Sequence, residues 1–183
     1  MKSKASAGFT LIELMVAVAV LAVLLGVALP GMAGYNERNR LKSVAEGLVS
    51  DLALARTEAI MRGPGSTFNL SFTTDGASQW CYGLTTNASC DCTVADPTDA
   101  NACVVNSSGE DVLRVVDSAN FQSDVQMTAV TFTGNKVNFN STRGMADAGQ
   151  VSFDAAGKQI DVEVTALGSI RICSSSDLGY SGC

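Results

Sequence analysis

Between Phe9 and Tyr35 the chain is almost wholly apolar, and from Leu14 to Met32 it carries no charged side chain. Glu13 is the one charge inside the longer run. About 20 residues at 1.5 Å each cross the hydrocarbon core of a bilayer, so residues 9–35 have the length of a single transmembrane helix. From Asn36 the period changes. Leu41, Val44, Ala45, Leu48, Leu52, Ala55, Ala59 and Ile60 recur at steps of three and four, with Arg38, Lys42, Glu46, Asp51 and Glu58 largely between them. That pattern predicts an amphipathic helix over 36–62 that buries this stripe, and Gly63-Pro64-Gly65 ends it.

Beyond Gly65 the apolar residues come in short, β-like runs. They predict strands at 67–73, 80–84, 112–117, 125–132, 136–140, 150–153, 159–165 and 169–173. "FDAAGKQIDVEV" reads as a hairpin, with Gly157 in the turn and Ile160, Val162 and Val164 on one face. A sheet with one apolar face needs a cover, and the amphipathic helix supplies it. The chain therefore divides into a hydrophobic helix, an amphipathic helix and a β-rich head over 63–183, an α+β class. Residues 85–111 are rich in Thr, Asn, Ser, Asp and Gly and read as one long loop.

Charge and cysteines narrow the chemistry. Of 12 basic and 18 acidic residues, Lys2, Lys4 and Glu13 precede Asn36, which leaves 10 against 17 in the remainder. A body with that balance is repelled by phosphate backbones, so nucleic acid is a poor partner. Cys81, Cys90, Cys92, Cys103, Cys173 and Cys183 all follow the apolar run, as expected of disulfides formed in an oxidising compartment. Cys90 and Cys92 are too close in sequence to pair with each other, so each reaches Cys81 or Cys103, and either arrangement fits. Cys173 and Cys183 bracket the C-terminal tail and would close a short loop. There is no histidine and no C-x-x-C, which removes the usual zinc sets and any histidine base for a Ser or Cys nucleophile. "DPTDAN" (96–101) lacks the alternating ligands of a calcium loop and reads as a solvated turn. No metal, cofactor or enzymatic activity is expected.

Three readings compete for the N-terminus. A secretory signal cut near Gly31 has too long an apolar core, and a plain anchor leaves Glu13 unexplained. Cleavage after Gly8 keeps the whole helix and makes Phe9 the new N-terminus, whose ammonium lies four residues before Glu13, on the same helix face. A cation from this chain or a neighbouring copy would offset the cost of the buried acid, roughly 2.5–3.5 kcal/mol at a bilayer centre and less near its edge.

"KASAGFTLIELMVAVAVLAVLLGVALP" resembles the class III signal sequence of type IV pilins and type II secretion pseudopilins. The resemblance implies a leader of 1–8, cleavage after Gly8 and N-methylation of Phe9 by a prepilin peptidase. It also implies a Glu13 that pairs with another subunit's N-terminus during filament assembly, a helix able to melt locally around Pro30, and a pilin-like fold with a long helix packed on an antiparallel head and a C-terminal disulfide loop. "LALARTEAIMRG", "GEDVLRVVD", "VNFNSTRGMA" and "GSIRIC", in that order, are similar to the FimT/FimU/GspH group of minor pilins and pseudopilins. Within that group the resemblance implies one of three roles: a FimU-like minor pilin near a pilus tip, a GspH-like secretion pseudopilin, or a FimT-like DNA-uptake pilin. The last uses Gly-Arg-x-Arg, and this chain has Gly168-Ser169-Ile170-Arg171, one arginine short. The Arg143-Gly144 turn and the C-terminal cysteine pair favour the FimU-like role. The implied partners are other minor pilins and the major pilin through the N-terminal helix, the peptidase, the inner membrane before assembly, and a tip adhesin.

Overall fold

The computed structural model describes residues 9–74, 76, 78–107, 109–121, 125–175 and 177–183, with the side chains of 27–33 and 107 left undescribed. Gly8, the expected cleavage residue, lies outside the described residues, as does the side chain of Pro30. Two units divide the chain, Met1–Asn36 and Glu37–Cys183. Helix α1, Leu11–Arg62, contributes residues to both.

Among the described residues of the first unit α1 shows no polar face. Leu11, Ile12, Leu14, Met15, Val16, Val18, Val20, Leu21, Val23, Leu24 and Leu25 are all more than half exposed. A helix that is apolar all round belongs in lipid or among other helices. Among the described residues no helix is long and apolar enough to cross a membrane.

In the second unit α1 buries Leu41, Val44, Ala45, Leu48, Leu52, Ala55 and Ala59. Ile60, expected in the same stripe, is instead 45% exposed. Successive helical residues point about 100° apart, so Ala59 facing the core turns Ile60 away from it.

The strands are β1 (Thr67–Thr74), β2 (Trp80–Thr85), β3 (Val104–Ser107), β4 (Glu110–Leu113), β5 (Val115–Asp117), β6 (Gln126–Val130), β7 (Lys136–Asn140), β8 (Gly149–Ala155), β9 (Lys158–Val164) and β10 (Ile170–Cys173). They form two four-stranded sheets, ordered β5-β2-β1-β7 and β10-β9-β8-β6, and a β3-β4 hairpin. Each pairing between these strands is antiparallel. Strand alternation sends Phe68, Leu70 and Phe72 of β1, Tyr82 and Leu84 of β2, and Val137 and Phe139 of β7 into one core with Val151, Phe153, Ile160, Val162 and Val164 of the second sheet. Trp80 joins the sheets: its ring meets Phe153 edge-on at 5.3 Å between centroids and its indole N–H donates to the Val125 carbonyl at 2.8 Å. The β8-β9 hairpin turns through Ala156 and Gly157 at φ 52° and 74°, the two positive φ values a tight hairpin of matching twist requires.

Two further sequence expectations change. Residues 85–111 are not loop throughout, because 104–107 and 110–113 pair across a turn. The single strand expected at 112–117 is cut at Arg114, whose N–H donates to the Cys103 carbonyl (2.8 Å) while its own carbonyl accepts from Leu84 N–H (2.9 Å). Those bonds hand the chain from the hairpin to the edge of the first sheet.

Candidate assembly segment and the junction of three motifs

At the N-terminus the expected assembly residues stand at the start of α1. Phe9 is 85% exposed and Glu13 is exposed in the first helical turn. Thr10 precedes the helix, and its Oγ1 accepts the Glu13 N–H at 3.3 Å. Thr-x-x-Glu is the capping-box spacing, so the sequence did hold a sign of Thr10's role. The cap starts the helix just behind Phe9 and sets Glu13 in the first turn, where the positive end of the helix dipole favours a carboxylate.

In the second unit, polar residues flanking the buried stripe of α1 hold four parts of the head in turn. Glu46 accepts the Tyr180 hydroxyl at 2.7 Å, and the Lys42 ammonium sits 5.6 Å from the centre of the same ring. Asp51 accepts the Tyr82 hydroxyl at 2.9 Å. Arg56 Nε donates to the Gly144 carbonyl at 3.2 Å. Arg62 donates to the Asn106 carbonyl at 3.0 Å, pairs with Glu58 at 3.1 Å and covers the Phe68 ring. The helix pattern marks these side chains as flanking the core, but only the fold supplies their partners.

Burial pushes the Asp51 carboxyl above its usual value, against the Tyr82 hydrogen bond and the Arg114 charge. Burial, with Asp51 alongside, also drives the Tyr82 phenol strongly upward. Tyr180 is pushed up to about 12, first by burial and then by its bond to Glu46.

Three of the motifs converge at one point. Arg56 and Ile60 of "LALARTEAIMRG" meet Gly144 of "VNFNSTRGMA" and Gly168 of "GSIRIC". A Cβ on Gly144 would lie 2.8 Å from Ile60 Cδ1 and 2.9 Å from Arg56 Nε. One on Gly168 would fall on the Gly144 carbonyl oxygen. Both glycines have positive φ, 62° and 73°, so the spacing and the backbone each call for glycine there.

Four of the cysteines tie down the outer face of the first sheet. The bridges are Cys81–Cys92, Cys90–Cys103 and Cys173–Cys183, which resolves the pairing the sequence left open. Cys90 N–H donates to Ser71 Oγ (3.1 Å), Lys136 Nζ to the Ala88 carbonyl (2.8 Å), and Asn69 Nδ2 to the Asn87 carbonyl. A Cβ on Gly83 would collide with Cys103. The loop thus covers the polar face that alternation leaves on β1, β2 and β7. Its Asp91, Asp96 and Asp99 accept the backbone N–H groups of Thr93, Thr98 and Asn101 at 2.8–2.9 Å. The threonine hydrogen bonds hold Asp91 and Asp96 below the usual carboxylate value, and this is the chemistry of turns.

The family model for type II transport protein GspH matches residues 44–168, more than half of the chain. The chain belongs to the GspH family. Residues 3–29 match the prokaryotic N-terminal methylation motif. Among solved structures, the type IV minor pilin FimU of Pseudomonas aeruginosa is similar over 75% of this chain and 91% of that one, with 18% identity and a TM-score of 0.46. No curated protein matches the sequence. The GspH-family chain is thus a type IV pilin-like protein, a minor pilin or pseudopilin with an α+β head.

In this GspH-family chain the arginine that remains of the DNA-binding pattern is engaged elsewhere: Arg171 pairs with Glu163 at 2.6 Å. Among the described residues, one trio of ligand-type side chains converges, Asp161, Cys173 and Cys183. Both sulfurs belong to a disulfide, which leaves a single donor.

Proposed function

We propose that this chain is a FimU-like minor pilin, incorporated near the tip of a type IV pilus, where it helps initiate assembly. The observation that carries the reading is the apolar helix from Leu11 to Leu25, whose large side chains are all more than half exposed, broken by one acid, Glu13, behind a capped N-terminus at Phe9. Prepilin peptidase cuts after Gly8 and methylates Phe9. Residues 9–35 hold the protein in the inner membrane as a single span, with the head in the periplasm, where the three disulfides form. On assembly the helix leaves lipid for a bundle of subunit helices, Glu13 meets a neighbouring subunit's N-terminal ammonium, and the region around Pro30 loosens. The docked C-terminal disulfide loop and the Arg143-Gly144 turn support the pilus role, with a tip adhesin among the partners.

The description of the matching family, a type II transport protein, favours a second reading as a GspH-like pseudopilin. The acidic head and the Arg171–Glu163 pair count against DNA uptake.

The test compares wild type with Glu13→Leu in a strain lacking the native gene, reading the protein in membranes, sheared pili and the secretion apparatus. Wild type is expected in the pilus fraction, and Glu13→Leu is expected to stay in the membrane at normal level. Equal incorporation of both overturns the assembly role of Glu13, and recovery with the secretion apparatus alone overturns the pilus role.

A further inference from the structure

Trp80 is the chain's one tryptophan, and Tyr82 is one of its three tyrosines. Two places apart on β2, they point to the same side of the sheet. Their ring centroids lie 6.5 Å apart with the planes 3° from parallel, within the range of aromatic contact. Beyond Tyr82 the line continues to a base, because the phenol donates to Asp51 Oδ2 of α1 at 2.9 Å. A phenylalanine at position 82 would fill the same core volume. The hydroxyl and its half-buried carboxylate are what packing alone leaves unexplained.

Trp80 also borders an open cleft of about 570 Å³, together with Cys81 and Cys92, which are joined as a disulfide. A strong one-electron oxidant in that cleft, such as an oxygen-centred radical, takes its electron from the indole, which is easier to oxidise than the disulfide. The Val125 carbonyl that holds the indole N–H is too weak a base to remove its proton, so the oxidised ring stays a cation. The rings touching Trp80 are those of Tyr82, Phe121 and Phe153. A phenyl ring is harder to oxidise than indole, so neither phenylalanine can refill the vacancy. The phenol can, on one condition. Loss of an electron alone would leave a phenol radical cation, uphill of the indole cation; loss of the proton as well leaves a neutral phenoxyl, which is downhill. Asp51 stands where that proton must go, and burial makes it a stronger base than an exposed aspartate.

We infer that Trp80, Tyr82 and Asp51 form a proton-coupled relay that moves an oxidising equivalent from the indole at the cleft to the phenol beside α1. In the step, one electron passes from the Tyr82 ring to the oxidised Trp80 ring and the phenol proton passes to Asp51 Oδ2. The products are neutral Trp80, a Tyr82 phenoxyl radical and a protonated Asp51. A diffusible one-electron donor such as ascorbate, with the proton returned from Asp51, restores the phenol. The relay spares the indole, which joins the two sheets through Phe153 and the Val125 carbonyl, from reaction with oxygen. It lies wholly in the second unit and is independent of the role of Glu13.

The test uses the full chain in detergent micelles with Tyr35→Phe and Tyr180→Phe, which leave Tyr82 as the one phenol. Photo-excited ruthenium(II) tris-bipyridine with a sacrificial quencher supplies the oxidant, and transient absorption follows the radicals. The indole radical is expected to decay as a phenoxyl signal rises at the same rate. Tyr82→Phe should leave a longer-lived indole radical and no phenoxyl. Asp51→Asn keeps a hydrogen-bond acceptor but removes the base, and should slow the transfer on the order of a hundredfold. After a fixed light dose, peptide mass mapping should find more oxygenated Trp80 in both variants than in the parent. Absence of a phenoxyl rise in the parent overturns the relay. So does an Asp51→Asn variant that transfers at the parent rate while unfolding as cooperatively, and so does equal Trp80 oxygenation in all three.

Discussion

The backbone of Gly168 packs directly on the carbonyl of Gly144, leaving no room for a side chain between the β9-β10 turn and the β7-β8 loop. Gly157, in the β8-β9 turn, has nearly the same φ, 74° against 73°, but open space around its Cα. Alanine at the two sites therefore meets the same backbone penalty and differs only in the collision. Gly157→Ala is expected to cost about 1 kcal/mol, and Gly168→Ala about 3 kcal/mol or more, because backbone must move. Denaturant unfolding of the full chain in detergent measures both, and equal costs would refute the contact.

The burial of Asp51 against Tyr82 should show in the pH profile. Burial raises the Asp51 carboxyl above 3.8 in the folded state, so the folded protein holds that proton more tightly than the unfolded chain. Its favourable contribution is complete below the unfolded value and is lost as pH rises through the folded value. Asp51→Asn keeps an acceptor for Tyr82 and removes the charge, so it should be more stable than wild type above that window and converge with it at acid pH. Tyr82→Phe strands the half-buried carboxylate and should cost about 1–3 kcal/mol at neutral pH. Denaturation midpoints across pH separate the two, and parallel profiles for Asp51→Asn and wild type would contradict the raised carboxyl.

Elements with strong local signals were legible in sequence. The strand at Lys136–Asn140 and the turn at Gly157 lie where alternation and turn chemistry put them. So does the helix end before Gly63. What escaped depended on distant partners. The break at Arg114 exists because Cys103 and Leu84 draw its N–H and carbonyl in different directions. The β3 strand is hidden by its brevity, although Val104-Val105 before Ser107–Gly109 was a faint hairpin signal. Likewise, "STRGMA" and "GSIR" were visible as separate motifs, but their contact through two glycines is a property of the folded chain alone.

The C-terminal bridge closes a loop spanning 10 positions between Cys173 and Cys183, worth about 3 kcal/mol in the chain-entropy account. The same loop carries buried Leu178 and places Tyr180 against Lys42 and Glu46. Replacing both cysteines with serine should cost about that much and loosen Tyr180, so that its phenol titrates below the value of about 12 it has when docked. Ultraviolet pH titration reads this directly. A double variant that loses stability with an unchanged Tyr180 titration would show that the loop docks without its bridge.

At the other end of the chain, Thr10 should govern how well Glu13 is presented. Its Oγ1 holds the Glu13 N–H, and loss of such a cap costs about 1 kcal/mol, roughly a fivefold increase in opening of the first turn. Thr10→Ala is therefore expected to speed hydrogen exchange at the Glu13 amide about fivefold in micelles, while Thr10→Ser, which keeps the hydroxyl, exchanges like wild type. If Glu13 acts by meeting a neighbouring ammonium, a frayed turn offers it less often, so Thr10→Ala should lower pilus incorporation in part where Glu13→Leu abolishes it. Faster exchange with undiminished incorporation would mean that the carboxylate finds its partner without the cap, and that assembly itself, not the isolated helix, orders the first turn.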